Sequence, residues 1–221
     1  MTSAADIRIQ YKGVLFDLDG TLYNDLLAKL LLMGLNPRFF YVAKVLGEAR
    51  DHVREQEPRP HESLYPYIDD VVANRLKVKV QDAVSMRHRL QQHVMPSMIK
   101  KVGCYQRLPQ FLDAITTSGM KIGVLSDDRP NEKLNALGLA SYPWEIVQDL
   151  NNIGCLKPQP LGFKEACEAM NLKESSVLFV GDKDKLDGRG AESAGMDVMI
   201  KRKGRWAQSK YPSFWHYGQL L

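Results

Sequence analysis

Asp17 and Asp19 stand two residues apart, directly after the apolar run Val14-Leu15-Phe16 and directly before Gly20-Thr21-Leu22. Side chains alternate along an extended chain, so both carboxylates fall on one side, and Gly20 lets the backbone turn sharply beyond them. Two anions this close repel each other unless a cation sits between or beside them. A hard divalent ion such as magnesium, which prefers oxygen ligands, relieves that repulsion. The bare pair is equally compatible with a strand end carrying two solvated aspartates ahead of a turn.

Three further segments offer complementary groups. In Leu125-Ser126-Asp127-Asp128-Arg129, a serine at a strand end can present its hydroxyl and the following backbone amides to a phosphate oxygen. Leu156-Lys157-Pro158 places a lysine in a loop before a helix, where an ammonium group can neutralise a phosphate or a nucleophilic carboxylate, although a lone Lys-Pro is more often a solvated loop. The stretch Val177-Leu178-Phe179-Val180-Gly181-Asp182 repeats the opening design of an apolar strand followed by an acid. Asp182 is the natural third oxygen ligand for magnesium, with Asp187 behind it or on the metal itself.

These groups need a scaffold that brings distant segments to one edge. Short apolar runs at Val14 to Phe16, Ile122 to Leu125, Val177 to Val180 and Val198 to Ile200 read as buried parallel strands, and Trp144 to Val147 adds a fifth. Helix-like segments at Leu108 to Ser118, Glu132 to Leu137, Leu161 to Met170 and Gly188 to Ala194 alternate with them. The pattern predicts an α/β fold, a Rossmann-like doubly wound parallel sheet whose ligands bind outside the carboxyl ends of the strands. From about Asn24 to Gly103 the alternation stops and helical periodicity takes over, as in Leu26, Leu27, Leu30 and Leu31 and in Val71, Val72, Leu76 and Val80. This predicts an inserted α-helical cap domain over 24–103, with the α/β core built from 1–23 and 104–221. The proline- and charge-rich stretch from Glu57 to Ser63 is a turn between cap helices.

Composition narrows the function classes. The 221 residues are 44% hydrophobic and 25% charged with a net charge of +4, ordinary for a soluble globular chain and far from the basic excess of a nucleic-acid binder. Cys104, Cys155 and Cys167 have neither the number nor the spacing of a disulfide framework or a zinc site, which fits a cytoplasmic protein. The N-terminus lacks the apolar core of a signal peptide, and the segment Leu26 to Leu35 is too short to span a bilayer. The leucine face from Leu26 to Leu32 reads as cap core. The basic run from Lys201 to Trp206 follows the last predicted strand and reads as a solvated loop rather than a nucleic-acid patch.

Taken in order, Asp17-Leu18-Asp19-Gly20-Thr21-Leu22, Ser126, Lys157 and Gly181-Asp182 with Asp187 resemble the four motifs of the haloacid dehalogenase superfamily of phosphohydrolases, over nearly the whole chain. The insertion resembles the cap of the family branch that carries it between the first and second motifs. The resemblance implies that Asp17 is the nucleophile, forming an aspartyl-phosphate, and that Asp19 is the acid and base. It implies Mg2+ held by Asp17, the backbone carbonyl of Asp19 and Asp182. The phosphoryl oxygens then fall to Ser126, Lys157 and backbone amides near Leu18 and at Asp127. Asp187 would orient the metal site and Lys157.

The expected activity is hydrolysis of a small phosphorylated metabolite. A phosphomutase and a non-catalytic phospho-ligand module are the rivals, while a dehalogenase is disfavoured because the family's dehalogenases lack the acid found here as Asp19. Asp127 and Asp128 depart from the usual pattern. If their side chains face the ligand, they favour a substrate with a cationic part. Arg59 and His61 in the middle turn of the cap are candidates for substrate contact, as is Lys183 beside Asp182. Oligomeric state is not encoded in any of these features.

Overall fold

A computed structural model describes residues 4–221. Six parallel strands form one sheet: β1 (Gly13–Phe16), β2 (Lys121–Ser126), β3 (Trp144–Asp149), β4 (Val177–Gly181), β5 (Asp197–Lys201) and β6 (Ser213–Phe214), in the order β3-β2-β1-β4-β5-β6. The central strand β1 is buried along its whole length and reads Gly-Val-Leu-Phe, the near-continuous apolar run that a two-sided strand requires. The chain builds outward from β1 in both directions, so the strand order reverses there. The crevice at the carboxyl ends of β1 and β4 is the topological switch point, where ligands of such sheets bind.

Among the described residues, eleven α-helices surround the sheet and build the insertion: α1 (Ala4–Gln10), α2 (Asp25–Leu35), α3 (Pro37–Arg54), α4 (Tyr65–Leu76), α5 (Val80–Arg89), α6 (Met95–Val102), α7 (Leu108–Thr116), α8 (Pro130–Leu137), α9 (Leu150–Ile153), α10 (Leu161–Ala169) and α11 (Arg189–Ala194). Each expected sheet-side helix is present, and α7 shows why: Leu108, Phe111, Leu112 and Ile115 recur at helical spacing and all are buried. Phe111 meets Phe16 of β1 edge-on at 6.4 Å, which locks this layer onto the central strand. Among the described residues no helix is long and apolar enough to cross a membrane.

Helices α2 to α6 form the insertion between β1 and β2. The chain leaves and returns side by side, for Tyr23 and Cys104 are bridged. Asn24 caps α2 by accepting from the Leu27 amide, and Asn36 caps α3 in the same way through Phe39. A π-helical segment at Leu90–Val94 joins α5 to α6 without a break, and its wider turn carries Gln91 toward the core. The Glu57 to Ser63 turn lies between α3 and α4 as expected, but it is docked. The amides of Arg59, His61 and Leu64 donate to the carbonyls of Gly154, Ile153 and Asn151 at 2.7, 2.8 and 2.8 Å. Gly154 makes that approach feasible: its φ is +86°, and a Cβ there would collide with the Arg59 carbonyl oxygen.

Two expectations are corrected. The leucine face of α2 is not cap core: Leu26, Leu27 and Leu30 are exposed, because the buried stripe runs through Asp25, Ala28 and Leu32. The basic run that begins with the last residue of β5 is not wholly solvated. Lys201 is buried, with its ammonium 3.9 Å from the centre of the Tyr105 ring and donating to the Arg202 carbonyl at 3.0 Å, while Trp206 is exposed.

Candidate active site

Asp17 follows β1 directly and its amide continues the ladder by donating to Val180 O at 2.8 Å. Both of its carboxylate oxygens are engaged. Lys157 Nζ donates to Oδ1 at 2.5 Å and Thr21 Oγ1 to Oδ2 at 2.9 Å. Lys157 also donates to Asp187 Oδ1 at 2.9 Å, and the other Asp187 oxygen accepts the backbone amides of Asp182 and Lys183 at 3.1 and 2.9 Å. Asp187 thus acts as the strut that fixes both the lysine and the loop after β4. The Thr21 end of the first loop is held from the far side, where the buried Tyr217 hydroxyl donates to Thr21 O at 2.9 Å.

Asp182 is different. Both of its oxygens are buried and neither has a hydrogen-bond partner among the described residues. It lies so close to Gly20 that a Cβ at that position, where φ is +89°, would overlap its carboxylate. Asp17, Asp182 and Asp187 each place an oxygen within 4.8 Å of the others'. Asp17 and Asp187 flank the Lys157 ammonium and Lys183 acts on Asp182 and Asp17 through its charge, so three carboxylates outnumber two ammonium groups in a poorly solvated crevice. Burial, then the charge of Asp17, pushes the Asp182 carboxyl up to about 8. Burial likewise pushes Asp17 up to about 6, with Lys157 pulling the other way. An oxygen-only, partly unpartnered acidic cluster fits a hard divalent cation such as Mg2+.

Asp19 faces the cavity instead. Tyr23 Oη donates to its Oδ1 and Lys133 Nζ to its Oδ2, each at 2.5 Å. Burial pushes this carboxyl up, but Lys133, helped by the Tyr23 hydroxyl, outweighs it and holds Asp19 well below the usual carboxylate range. Lys133 is itself buried and shared with Asp128 at 3.3 Å. Neither partner was expected. The available signals were a tyrosine four residues after Asp19 and a lysine on the helix that follows the serine loop.

The Ser126 hydroxyl lies at the end of β2 and closes a turn, accepting from the Asp128 amide and donating to the Asp128 carbonyl at 3.2 Å. Asp127 and Asp128 do not point free carboxylates at a ligand. Asp127 pairs with Arg54 of α3 at 3.0 Å and accepts the Lys157 amide at 3.1 Å. Asp128 pairs with Arg50 of α3 at 3.3 Å and accepts from Gln91 at 2.5 Å. These acids clamp the insertion onto the core, which removes the basis for a cationic substrate and leaves Asp127 only its backbone for phosphate contact.

A cavity of about 560 Å3 lies between the insertion and the core, lined among others by Asp19, Tyr23, Arg50, Asp128, Lys133 and Lys183. Lys183 is therefore brought to the site. Arg59 and His61 are not: Arg59 stacks its guanidinium 4.0 Å from the centre of the Tyr67 ring, and both residues belong to the loop docked on α9. The first loop, Ser126, Lys157 and the Asp182–Asp187 segment all gather at the carboxyl ends of β1, β2 and β4, where Leu18 is buried.

Comparison with known proteins bears on this arrangement. The chain is 34% identical over 91 residues to the glyceraldehyde 3-phosphate phosphatase of Methanopyrus kandleri, a match spanning 40% of this chain and 39% of that one. It is 24% identical over 208 residues to the protein of the same name from Methanocaldococcus jannaschii, covering 88% of this chain and 86% of the relative. Among solved structures, a HAD phosphatase from Thermococcus onnurineus superposes with a TM-score of 0.65 at 19% identity, over 95% of both chains. The model of the haloacid dehalogenase-like hydrolases matches residues 11–195, nearly the whole span that carries the sheet, the insertion and the acidic crevice, and the chain belongs to that family.

Proposed function

We propose that this hydrolase is a magnesium-dependent phosphatase that removes phosphate from a small phosphomonoester through an aspartyl-phosphate on Asp17. The observation that supports this most is the contrast between the two motif acids: Asp17 is fixed between Lys157 and Thr21 beside an unpartnered Asp182, whereas Asp19 faces the cavity. The phosphatase names of the relatives agree with this reading. The Asp182 carboxylate, with an oxygen of Asp17 and the backbone carbonyl of Asp19, would hold Mg2+, with Asp187 behind them. When bound, the ion supplies charge neutralisation for the phosphoryl oxygens and lets an anionic nucleophile approach an anionic substrate.

The protein's own groups do the rest. Asp17 attacks phosphorus in line with the leaving oxygen; the new oxygen–phosphorus bond forms as the ester bond breaks. Lys157 neutralises a phosphoryl oxygen while remaining anchored by Asp187, and Ser126 donates to another after releasing the Asp128 carbonyl. Asp19, kept ionised by Lys133 and Tyr23, takes up the proton carried by the phosphomonoester monoanion and passes it to the leaving oxygen; it then takes one from the water that cleaves the acyl phosphate and gives it up with the departing phosphate. Tyr23 and Lys133 fix its orientation. Purified protein should release phosphate from p-nitrophenyl phosphate with magnesium and stop when the metal is chelated. Asp17→Asn should abolish turnover in a folded protein, and near-wild-type turnover by that variant would overturn the proposal.

A further inference from the structure

We propose that the cavity beside Asp19 holds a second anionic group, a phosphate or a carboxylate, carried by the leaving group of the substrate, and that Lys44, Gly47 and Arg50 of α3 with Lys183 form its seat. The inference deepens the phosphatase reading and rests on it for the identity of the first anion.

Charge is the first observation. Six cationic side chains line this cavity, Lys29, Lys44, Arg50, Arg54, Lys133 and Lys183, against three carboxylates, Asp19, Asp51 and Asp128. Asp17, Ser126 and Lys157 are not among the lining residues, so these cations are additional to the groups assigned to the transferred phosphoryl. A concave wall with an excess of one sign concentrates ligands of the other.

Pairing is the second. Lys29 is bound to Asp25, Arg54 to Asp51 and Asp127, and Lys133 to Asp19 and Asp128. Arg50 reaches only Asp128, at 3.3 Å, and that carboxylate already serves Lys133 and Gln91. The ammonium groups of Lys44 and Lys183 have no hydrogen-bond or ion-pair partner among the described residues. Lys44 is therefore unpaired, Arg50 shares its one carboxylate with Lys133, and Lys183 stands between this cavity and the acidic crevice, where Asp182 and Asp17 feel its charge.

Shape is the third. Lys44, Gly47 and Arg50 are spaced by three along α3 and so lie on one face, with Gly47 between the two cations. A glycine inside a helix costs about 1 kcal/mol relative to alanine. Packing does not require it here, since a Cβ at Gly47 would meet nothing within 4 Å. The missing side chain leaves a hollow flanked by Lys44 and Arg50, and an anion lodged there would share Arg50 with Asp128, which Lys133 and Gln91 also serve.

The test measures binding separately from turnover. Asp17→Asn protein with magnesium is titrated calorimetrically with 3-phosphoglycerate and glucose 1,6-bisphosphate, and with glycerol 3-phosphate and glucose 6-phosphate as partners lacking the second anion. The doubly anionic ligand of at least one pair should bind about tenfold more tightly, the worth of one good charge contact. Preference for the bisphosphate alone assigns a phosphate, and preference for 3-phosphoglycerate alone a carboxylate. Lys44→Gln and Gly47→Leu in the same background should each reduce that ratio severalfold, while Lys44→Arg should retain it. Equal affinities within both pairs, a preference unmoved by Lys44→Gln and Gly47→Leu, or no measurable binding of any ligand would overturn the inference. A preference in binding without any turnover of p-nitrophenyl phosphate by the wild type would instead sink the phosphatase reading and leave this site standing.

Discussion

Replacing Asp182 by asparagine should stabilise the protein while disabling it. Both Asp182 oxygens are buried without a hydrogen-bond partner, beside Asp17 and Asp187 and against the backbone of Gly20. A buried polar group left unsatisfied costs roughly 1–3 kcal/mol, and more when charged. With its carboxyl pushed up to about 8, Asp182 must take up a proton on folding at neutral pH, whereas asparagine is nearly isosteric and always neutral, so Asp182→Asn should recover about 2–3 kcal/mol in metal-free buffer. For a chain of this length each kcal/mol moves the melting temperature by roughly 2–4 °C, giving a rise of about 4–12 °C. Magnesium should reverse the ranking. An ion that binds only the folded wild type adds about 4.1 kcal/mol at a thousand times its dissociation constant, more than the variant's advantage, and the variant, with its metal carboxylate neutralised, should gain little. Differential scanning calorimetry of both proteins, with chelator and with saturating magnesium, reads all four values. If Asp182→Asn melts below the wild type in chelator, the carboxylate is compensated in the folded state and the reasoning about the crevice fails.

Other perturbations test other parts of the molecule. Lys133→Met leaves Asp19 and Asp128 without their shared cation, so it should cost about 3 kcal/mol in urea denaturation and lower kcat at least tenfold. Gly154→Ala forces a left-handed residue and a collision with the Arg59 carbonyl; it should cost about 1–3 kcal/mol and expose the Glu57 to Ser63 loop to protease, seen as a new cleavage in limited proteolysis. Burial holds the Lys201 ammonium down at about 8, with the charge of Asp182 only partly offsetting it. The unfolded chain keeps this proton up to its ordinary value near 10.5, so between about pH 8 and 10.5 the unfolded state binds more protons and stability rises with pH. Lys201→Met should remove that rise in denaturation curves taken across this range, and an unchanged slope would refute the assignment.

The strands and the acids at their ends were legible because a strand buried on both faces must be apolar throughout and must surrender its polar residues at the rim. Val14 to Phe16 and Val177 to Val180 show this, and the acids after each meet in one crevice. The partners of Asp19 were not legible, since Lys133 and Tyr23 acquire their meaning only when α8 and the first loop are placed together. Asp127 and Asp128 misled for the same reason. Their charge was visible, but the arginines that neutralise it lie more than seventy residues earlier, on a helix whose docking no local pattern encodes. The leucines of α2 failed differently: periodicity showed a helix, and four neighbouring apolar positions concealed which of its faces is buried.

The central claim is that Asp17 becomes covalently phosphorylated. Wild-type protein turning over p-nitrophenyl phosphate with magnesium should be quenched in acid, where an acyl phosphate survives briefly, and its peptides mapped by mass spectrometry. The account predicts one phosphoryl group on the peptide containing Asp17, absent without magnesium and absent in Asp17→Asn. Phosphate release with the phosphoryl group on any other residue, or sustained turnover by Asp17→Asn, would contradict it.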